Sequence, residues 1–165
     1  MELRIYVNTW KRYNEGKDGF YFDLGIEDND DLEERLVDAF GDSDHEYFIQ
    51  DYESIGFNVA EQTDFMELNE VLYELDEYNN DVFLAVCEFE GLDSAIEEAG
   101  SGFDSYRLYA DVNDEEELGQ YMVDEGLMGD IPKSIEMYLN YGAIGSDISM
   151  NTASEFTTYG YIERY

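Results

Sequence analysis

Thr63-Asp64-Phe65-Met66-Glu67-Leu68-Asn69-Glu70-Val71-Leu72-Tyr73-Glu74-Leu75-Asp76-Glu77-Tyr78 carries two patterns at once. Phe65, Leu68, Leu72 and Leu75 recur at the spacing that lines up apolar side chains on one face of a helix. Asp64, Glu67, Glu70, Glu74 and Glu77 recur every three or four residues on the other side. At a rise of ~1.5 Å per residue, their carboxylates stand roughly 5 Å apart along the axis. Thr63 is the expected cap of a helix running to about Tyr78. A helix with a face to bury needs something to pack against, so this acidic segment reads as part of a folded protein.

The helical reading continues downstream. Asp81 to Glu90 and Leu92 to Ala99 form two more short helices, separated by Gly91 and stopped by Gly100-Ser101-Gly102. Cys87 falls inside an apolar run and reads as a core residue rather than a nucleophile. Upstream, Arg4 to Asn8 and Gly19 to Asp23 read as strands around a polar turn, Tyr13-Asn14-Glu15-Gly16. Asp30 to Phe40 reads as a helix with Leu32, Leu36, Val37 and Phe40 on one face and Gly41 as its stop, and Glu46 to Tyr52 as a strand rich in β-formers. In the last third, Ser105 to Ala110 is a strand and Asp114 to Glu125 a helix whose acidic first turn suits its dipole. Pro132 opens another helix through Tyr138, and Phe156 to Ile162 is one final strand. The expected class is α+β, as three small modules in a row: 1–61 (α/β), 62–103 (acidic, helical) and 104–165 (α/β).

Composition narrows the function. The 165 residues hold 42 Asp plus Glu against 8 Lys plus Arg, a formal charge of -34. From Leu36 to Tyr106, 71 residues contain 9 Asp, 11 Glu and no Lys or Arg. Leu, Ile, Val and Phe total 41, about 25%, above the roughly 20% below which charged chains stay unfolded. So few basic residues cannot supply the phosphate contacts of a nucleic-acid binder, nor attraction to an anionic membrane. No apolar run approaches the ~18 residues of a membrane span, and the start lacks the basic and apolar regions of a signal peptide. One cysteine allows no internal disulfide. The expectation is a cytoplasmic protein.

Catalytic chemistry is not expected. His45 sits in an acidic turn, Asp42-Ser43-Asp44-His45-Glu46, without a nucleophile motif to serve. No Gly-rich phosphate loop occurs. Asp42, Asp44, Glu46 and Glu53 fall at positions 1, 3, 5 and 12 of an EF-hand loop, but Tyr47 stands where Gly is needed and a strand follows where a helix is required. No metal site, cofactor or catalytic residue is expected.

What remains is the charge itself. Like charges at helical spacing cost roughly 0.2–0.5 kcal/mol per pair, so stability alone does not accumulate them. Adaptation to a salty cytoplasm, or diffuse cation binding, is one explanation; imitation of a polyanion is the other. Duplex DNA carries one charge per ~1.7 Å, so 34 charges match roughly 58 Å of duplex, or about 17 base pairs. A compact globule of this length has a radius of gyration near ~15 Å, too small to lay charge out that way. Modules in a row could.

Several landmarks resemble those of the ArdA antirestriction proteins, DNA mimics carried by mobile genetic elements. They run in order: Ile5-Tyr6-Val7, Tyr13-Asn14-Glu15-Gly16, the Gly19 to Leu24 strand, Gln50-Asp51-Tyr52-Glu53 and Glu67-Leu68-Asn69. Near the C-terminus follow Met128-Gly129-Asp130-Ile131-Pro132, Tyr138-Leu139-Asn140-Tyr141 and Gly145-Ser146-Asp147. Two positions depart from the family pattern: Asn140 stands where Asp is usual, and Ser146 where Arg is usual. The resemblance implies an elongated three-module protomer that forms a homodimer through its C-terminal modules, using the motif residues Gly129, Pro132, Tyr138, Tyr141, Gly145 and Asp147. It implies that carboxylates stand in for phosphates, here Asp64, Glu67, Glu70, Glu74, Glu77, Glu88, Glu90, Glu97, Glu98, Asp114, Glu115 and Glu116. The implied partner is a Type I restriction-modification enzyme, bound at its specificity and methyltransferase subunits, with restriction and modification both inhibited.

Overall fold

In the computed structural model, residues 1–41, 46–53 and 56–165 are described, with all of their side chains but that of Tyr78. Among them the chain is α+β and packs as two compact units, Met1–Asn80 and Asp81–Tyr165. The EF-hand-like turn, His45 included, lies largely outside the described residues; of its pattern, Glu46 leads into a strand as expected.

The first unit is built on a three-stranded antiparallel sheet in the order β2-β1-β3, with β1 at Leu3–Thr9, β2 at Phe20–Leu24 and β3 at Tyr47–Glu53. Strand alternation explains the burial: Leu3, Ile5 and Val7 point into the core while Arg4 faces solvent. The expected polar turn is shorter than its sequence suggests: a short helix, α1 (Trp10–Asn14), takes up Tyr13 and Asn14 and leaves the turn to Glu15 and Gly16, and Thr9 caps it by accepting from the Arg12 amide. Helix α2 (Asn29–Phe40) buries Leu32 and Leu36 and ends at Gly41 as expected, but Val37 stays exposed.

The Thr63–Tyr78 segment is not one helix. Asp64, not Thr63, caps α3 (Phe65–Glu74), accepting from the Met66 and Glu67 amides at 3.0 and 3.2 Å. Thr63 instead accepts from the Ala60 amide. Leu75 turns extended, and the Asp76 carboxylate accepts from the Asn79 amide to start α4 (Glu77–Phe89). Phe65, Leu68 and Leu72 are buried as their spacing required.

Asn69 shows why the Glu67-Leu68-Asn69 landmark is more than surface. Its side chain is fully buried, with the carbonyl oxygen accepting from the Gly25 amide at 2.8 Å. Its amide nitrogen donates to the Glu27 carbonyl (3.0 Å) and to Asn29 Oδ1 (2.9 Å), fastening α3 to the turn between β2 and α2. Buried polar groups left unpaired cost about 1–3 kcal/mol each. Asn69→Leu is therefore expected to lose about 3 kcal/mol or more, read as a lower urea midpoint at unchanged slope.

In the second unit, α5 (Leu92–Ala99) follows α4, and the sheet has the order β4-β6-β5, all antiparallel. Its strands are β4 (Tyr106–Tyr109), β5 (Ala153–Thr157) and β6 (Gly160–Arg164). The single final strand expected over Phe156–Ile162 is thus a hairpin, reversing at Thr158 and Tyr159. Helix α6 (Glu115–Asp124) matches expectation; α7 (Lys133–Glu136) is shorter, with Pro132 as its cap. Helix α8 (Tyr141–Asn151) was not expected at all. Tyr109, Val112, Leu118, Met122 and Tyr161 form one core cluster, against which Ile148 and Phe156 pack. Cys87 is buried in α4, and burial pushes its thiol up to about 12.

Helices α6 and α8 meet backbone to backbone. A Cβ on Gly119 would stand 1.9 Å from the Tyr141 carbonyl oxygen, and one on Gly145 would stand 1.8 Å from that of Glu115. No larger residue fits either position without separating the helices.

Candidate partner-binding surface

Every described Asp and Glu side chain lies at the surface; the buried polar residues are Asn8, Thr9, Asn69 and Thr157. Burying an unpaired carboxylate is costly, so a fold with so many acids must place them outside. The basic side chains do little to neutralise them. Four ion pairs are present among the described residues: Arg4–Asp23, Lys17–Glu15, Arg35–Glu27 and Arg164–Glu90. Three of the four lie within the first 35 residues, leaving the described residues of the basic-free run from Leu36 to Tyr106 with the Arg164 pair alone.

The residues expected to stand in for phosphates separate into three groups. Glu67, Glu70, Glu74, Glu77, Glu97, Glu115 and Glu116 are exposed, and their carboxylates have no side-chain partner among the described residues. Asp64 and Asp114 are exposed as well, but each spends one oxygen capping a helix; Asp114 accepts from the Glu117 amide at 2.9 Å. Glu88, Glu90 and Glu98 are engaged inside the protomer. Glu88 accepts from the Thr158 amide at 3.1 Å and from its hydroxyl, bracing the β5–β6 turn. Glu90 takes the Arg164 guanidinium at 3.0 Å and the Tyr106 hydroxyl at 2.6 Å. Burial and the Glu90 carboxylate together push the Tyr106 phenol well above its usual range. Glu98 is half-buried and accepts from the Ser101 hydroxyl.

The C-terminal motif residues also divide. Gly145 is buried in the α6–α8 crossing, and Tyr141 contributes its carbonyl to the same crossing. Asn140 caps α8, its Oδ1 accepting from the Ala143 amide at 3.1 Å. Asn and Asp cap about equally well, so either residue at this position would keep the helix start. Ser146 is half-buried on α8, and Asp147 is exposed there. Gly129, Pro132 and Tyr138 lie on the exposed connection before α8, where Gly129 holds a φ of +82°. That connection also exposes Leu127, Met128, Ile135 and Met137, the last 79% exposed and Tyr138 78%. Ile135 and Met137 escaped the sequence reading, because an exposed apolar residue looks like a core residue until its surroundings are known.

No group of His, Cys, Asp or Glu among the described residues is arranged to hold a metal, and no helix there is long and apolar enough to cross a membrane. A comparison with curated proteins gives no match. The family model described as antirestriction protein (ArdA) matches residues 5–163. With that match running through both units, from β1 to β6, the chain belongs to the ArdA family of antirestriction proteins.

Proposed function

We propose that this antirestriction protein works as a DNA mimic, occupying the DNA groove of Type I restriction-modification enzymes at the specificity and methyltransferase subunits. Restriction and modification are then both blocked, without catalysis. The observation that carries this reading is the surface placement of every described carboxylate around an ordinary apolar core. A groove built for phosphates gains electrostatically from a matched anionic surface. It needs no bases to do so, because phosphate contacts position a duplex while base contacts specify sequence.

On this reading the modules 1–61, 62–103 and 104–165 present charge in succession, and two copies join through the C-terminal module. The apolar side chains exposed between Leu127 and Tyr138 support such self-association. Small-angle scattering tests both points: an extended dimer is expected, and a compact monomer at micromolar concentration would contradict it.

Salt separates mimicry from adaptation to a saline cytoplasm. Screening acts over about 10 Å at 0.1 M. Binding to a Type I methyltransferase core should therefore weaken as salt rises from 0.05 to 0.5 M (about one to ten times the usual low-salt buffer). Circular dichroism should show the protein folded at the low end. Unfolding below ~0.1 M with recovery in molar salt would favour adaptation instead.

A further inference from the structure

We infer that a partly open aromatic cavity on the first unit binds the guanidinium of an arginine supplied by the protein partner. The cavity, of about 390 Å³, is lined by Trp10, Tyr13, Phe48 and Tyr52, with Asp51 and Glu61 also on its wall. Trp10 stacks on Phe48, ring centroids 4.1 Å apart and planes within 17°. Tyr13 stands edge-on to both rings, at 6.2 and 5.7 Å. Phe48 is buried beneath this group, while Trp10 is 41% exposed and Tyr13 51%, an arrangement that leaves ring surface facing solvent.

The sheet itself shapes the site. The β1–β3 register shifts between Tyr6 and Val7, so that Tyr6 faces Asp51 and Val7 faces Ile49. Gln50 is the extra residue, and a bulge of this kind re-aims the side chains beside it. Glu61 is held nearby because its carbonyl accepts from the Ile49 amide at 2.9 Å.

Charge selects the occupant. Asp51 and Glu61 are exposed and make no ion pair among the described residues. Among the described residues, no Lys or Arg lines the cavity. Arg12, on the same helix as Trp10, turns elsewhere: it donates to the Asp18 carbonyl and lies over Phe20 and Phe40. Aromatic faces combined with anionic oxygens suit an organic cation, and a guanidinium can stack on a ring while donating in-plane to carboxylates. A DNA-binding groove is a ready source of arginine. The inference thus rests on the proposed target, and adds to diffuse mimicry one discrete anchor.

Trp10 is the only tryptophan in the chain, so its fluorescence reports on this cavity alone. The protein is titrated with N-acetyl-argininamide at constant ionic strength, beside N-acetyl-lysinamide and sodium chloride. A saturable change is expected with the arginine compound, roughly fivefold weaker with the lysine compound. It should also weaken in the Asp51→Asn, Glu61→Gln double variant, whose exposed substitutions leave the fold intact by circular dichroism. No saturable change, or an equal response to sodium chloride, would overturn the site. In a second arm, Trp10→Ala, verified as folded, should inhibit a Type I enzyme about tenfold less well; unchanged inhibition would overturn the anchor. The two readings fail separately. Arginine binding by a protein that leaves Type I enzymes untouched removes the target and leaves the cavity, whereas full inhibition without arginine binding removes the cavity alone.

Discussion

Gly145→Ala is expected to destabilise the protein by about 2–3 kcal/mol, and Gly119→Ala by a similar amount. Each added methyl would meet a backbone carbonyl oxygen, of Glu115 or Tyr141, at under 2 Å. Backbone cannot rotate aside as a side chain does, so α6 and α8 must move apart, and overpacking of this kind costs about 1–3 kcal/mol or more. Better helix propensity returns only ~1 kcal/mol. The internal control is Gly142→Ala on the same helix, where the nearest atom is Asn140 Oδ1 at 3.7 Å. That change should be neutral or stabilise by up to ~1 kcal/mol. Thermal melts of the three variants check the ordering: two should melt roughly 5–10 °C lower and one should not. Equal melting temperatures would mean that the helices do not cross at these glycines.

Neutralising Asp64, Glu67, Glu70, Glu74 and Glu77 together should weaken inhibition roughly thirtyfold, while Glu70→Gln or Glu74→Gln alone should leave it nearly intact. One charge is about 3% of the net -34, and an exposed ion pair contributes about 0–1 kcal/mol. Five such losses total about 2 kcal/mol. Asp64→Asn is the right choice at the first position, because Asn keeps the cap that Asp64 supplies to the Met66 and Glu67 amides. Glu74 ends α3, where a negative charge opposes the helix dipole, so Glu74→Gln should stabilise slightly. Inhibition and melting temperature measured on the same variants separate binding from folding. Loss of inhibition on a single one of these changes, with the fold intact, would point to a discrete site on α3 instead.

The sheet strands of the first unit, α2 and α6 could be read from the sequence because each carries its own period and stop. The two surprises in the second unit share a cause. Helix α8 packs through Gly145 rather than through a stripe of large apolar side chains, so its run of small residues has no pattern to detect. The β5–β6 hairpin reverses at Thr158 and Tyr159, without the Asn-Gly type of signal that marks tight turns. The break between α3 and α4 was hidden because Leu75 continues the apolar spacing while Asp76 starts a new helix.

The candidate surface was legible only to first order. That the carboxylates face outward follows from their chemistry. Which of them are already engaged does not, because Glu88 meets Thr158 and Glu90 meets Arg164 across separations of 70 and 74 residues. These two serve the fold and leave the exposed carboxylates of α3, α5 and α6 as the better candidates for partner contact. Membership of the ArdA family was legible through the order of short landmarks, and two of those landmarks prove structural, Asn69 fastening elements within the first unit and Gly145 packing two helices within the second.

Groove occupation is tested most directly by competition. A Type I methyltransferase core is loaded with a fluorescent duplex and titrated with this protein, for a duplex with the recognition sequence and for one without. Mimicry of the phosphate backbone predicts complete displacement of both duplexes, an apparent affinity that falls in proportion to duplex concentration, and no complex containing all three components. A stable ternary complex, with duplex still bound at saturating protein, would contradict it.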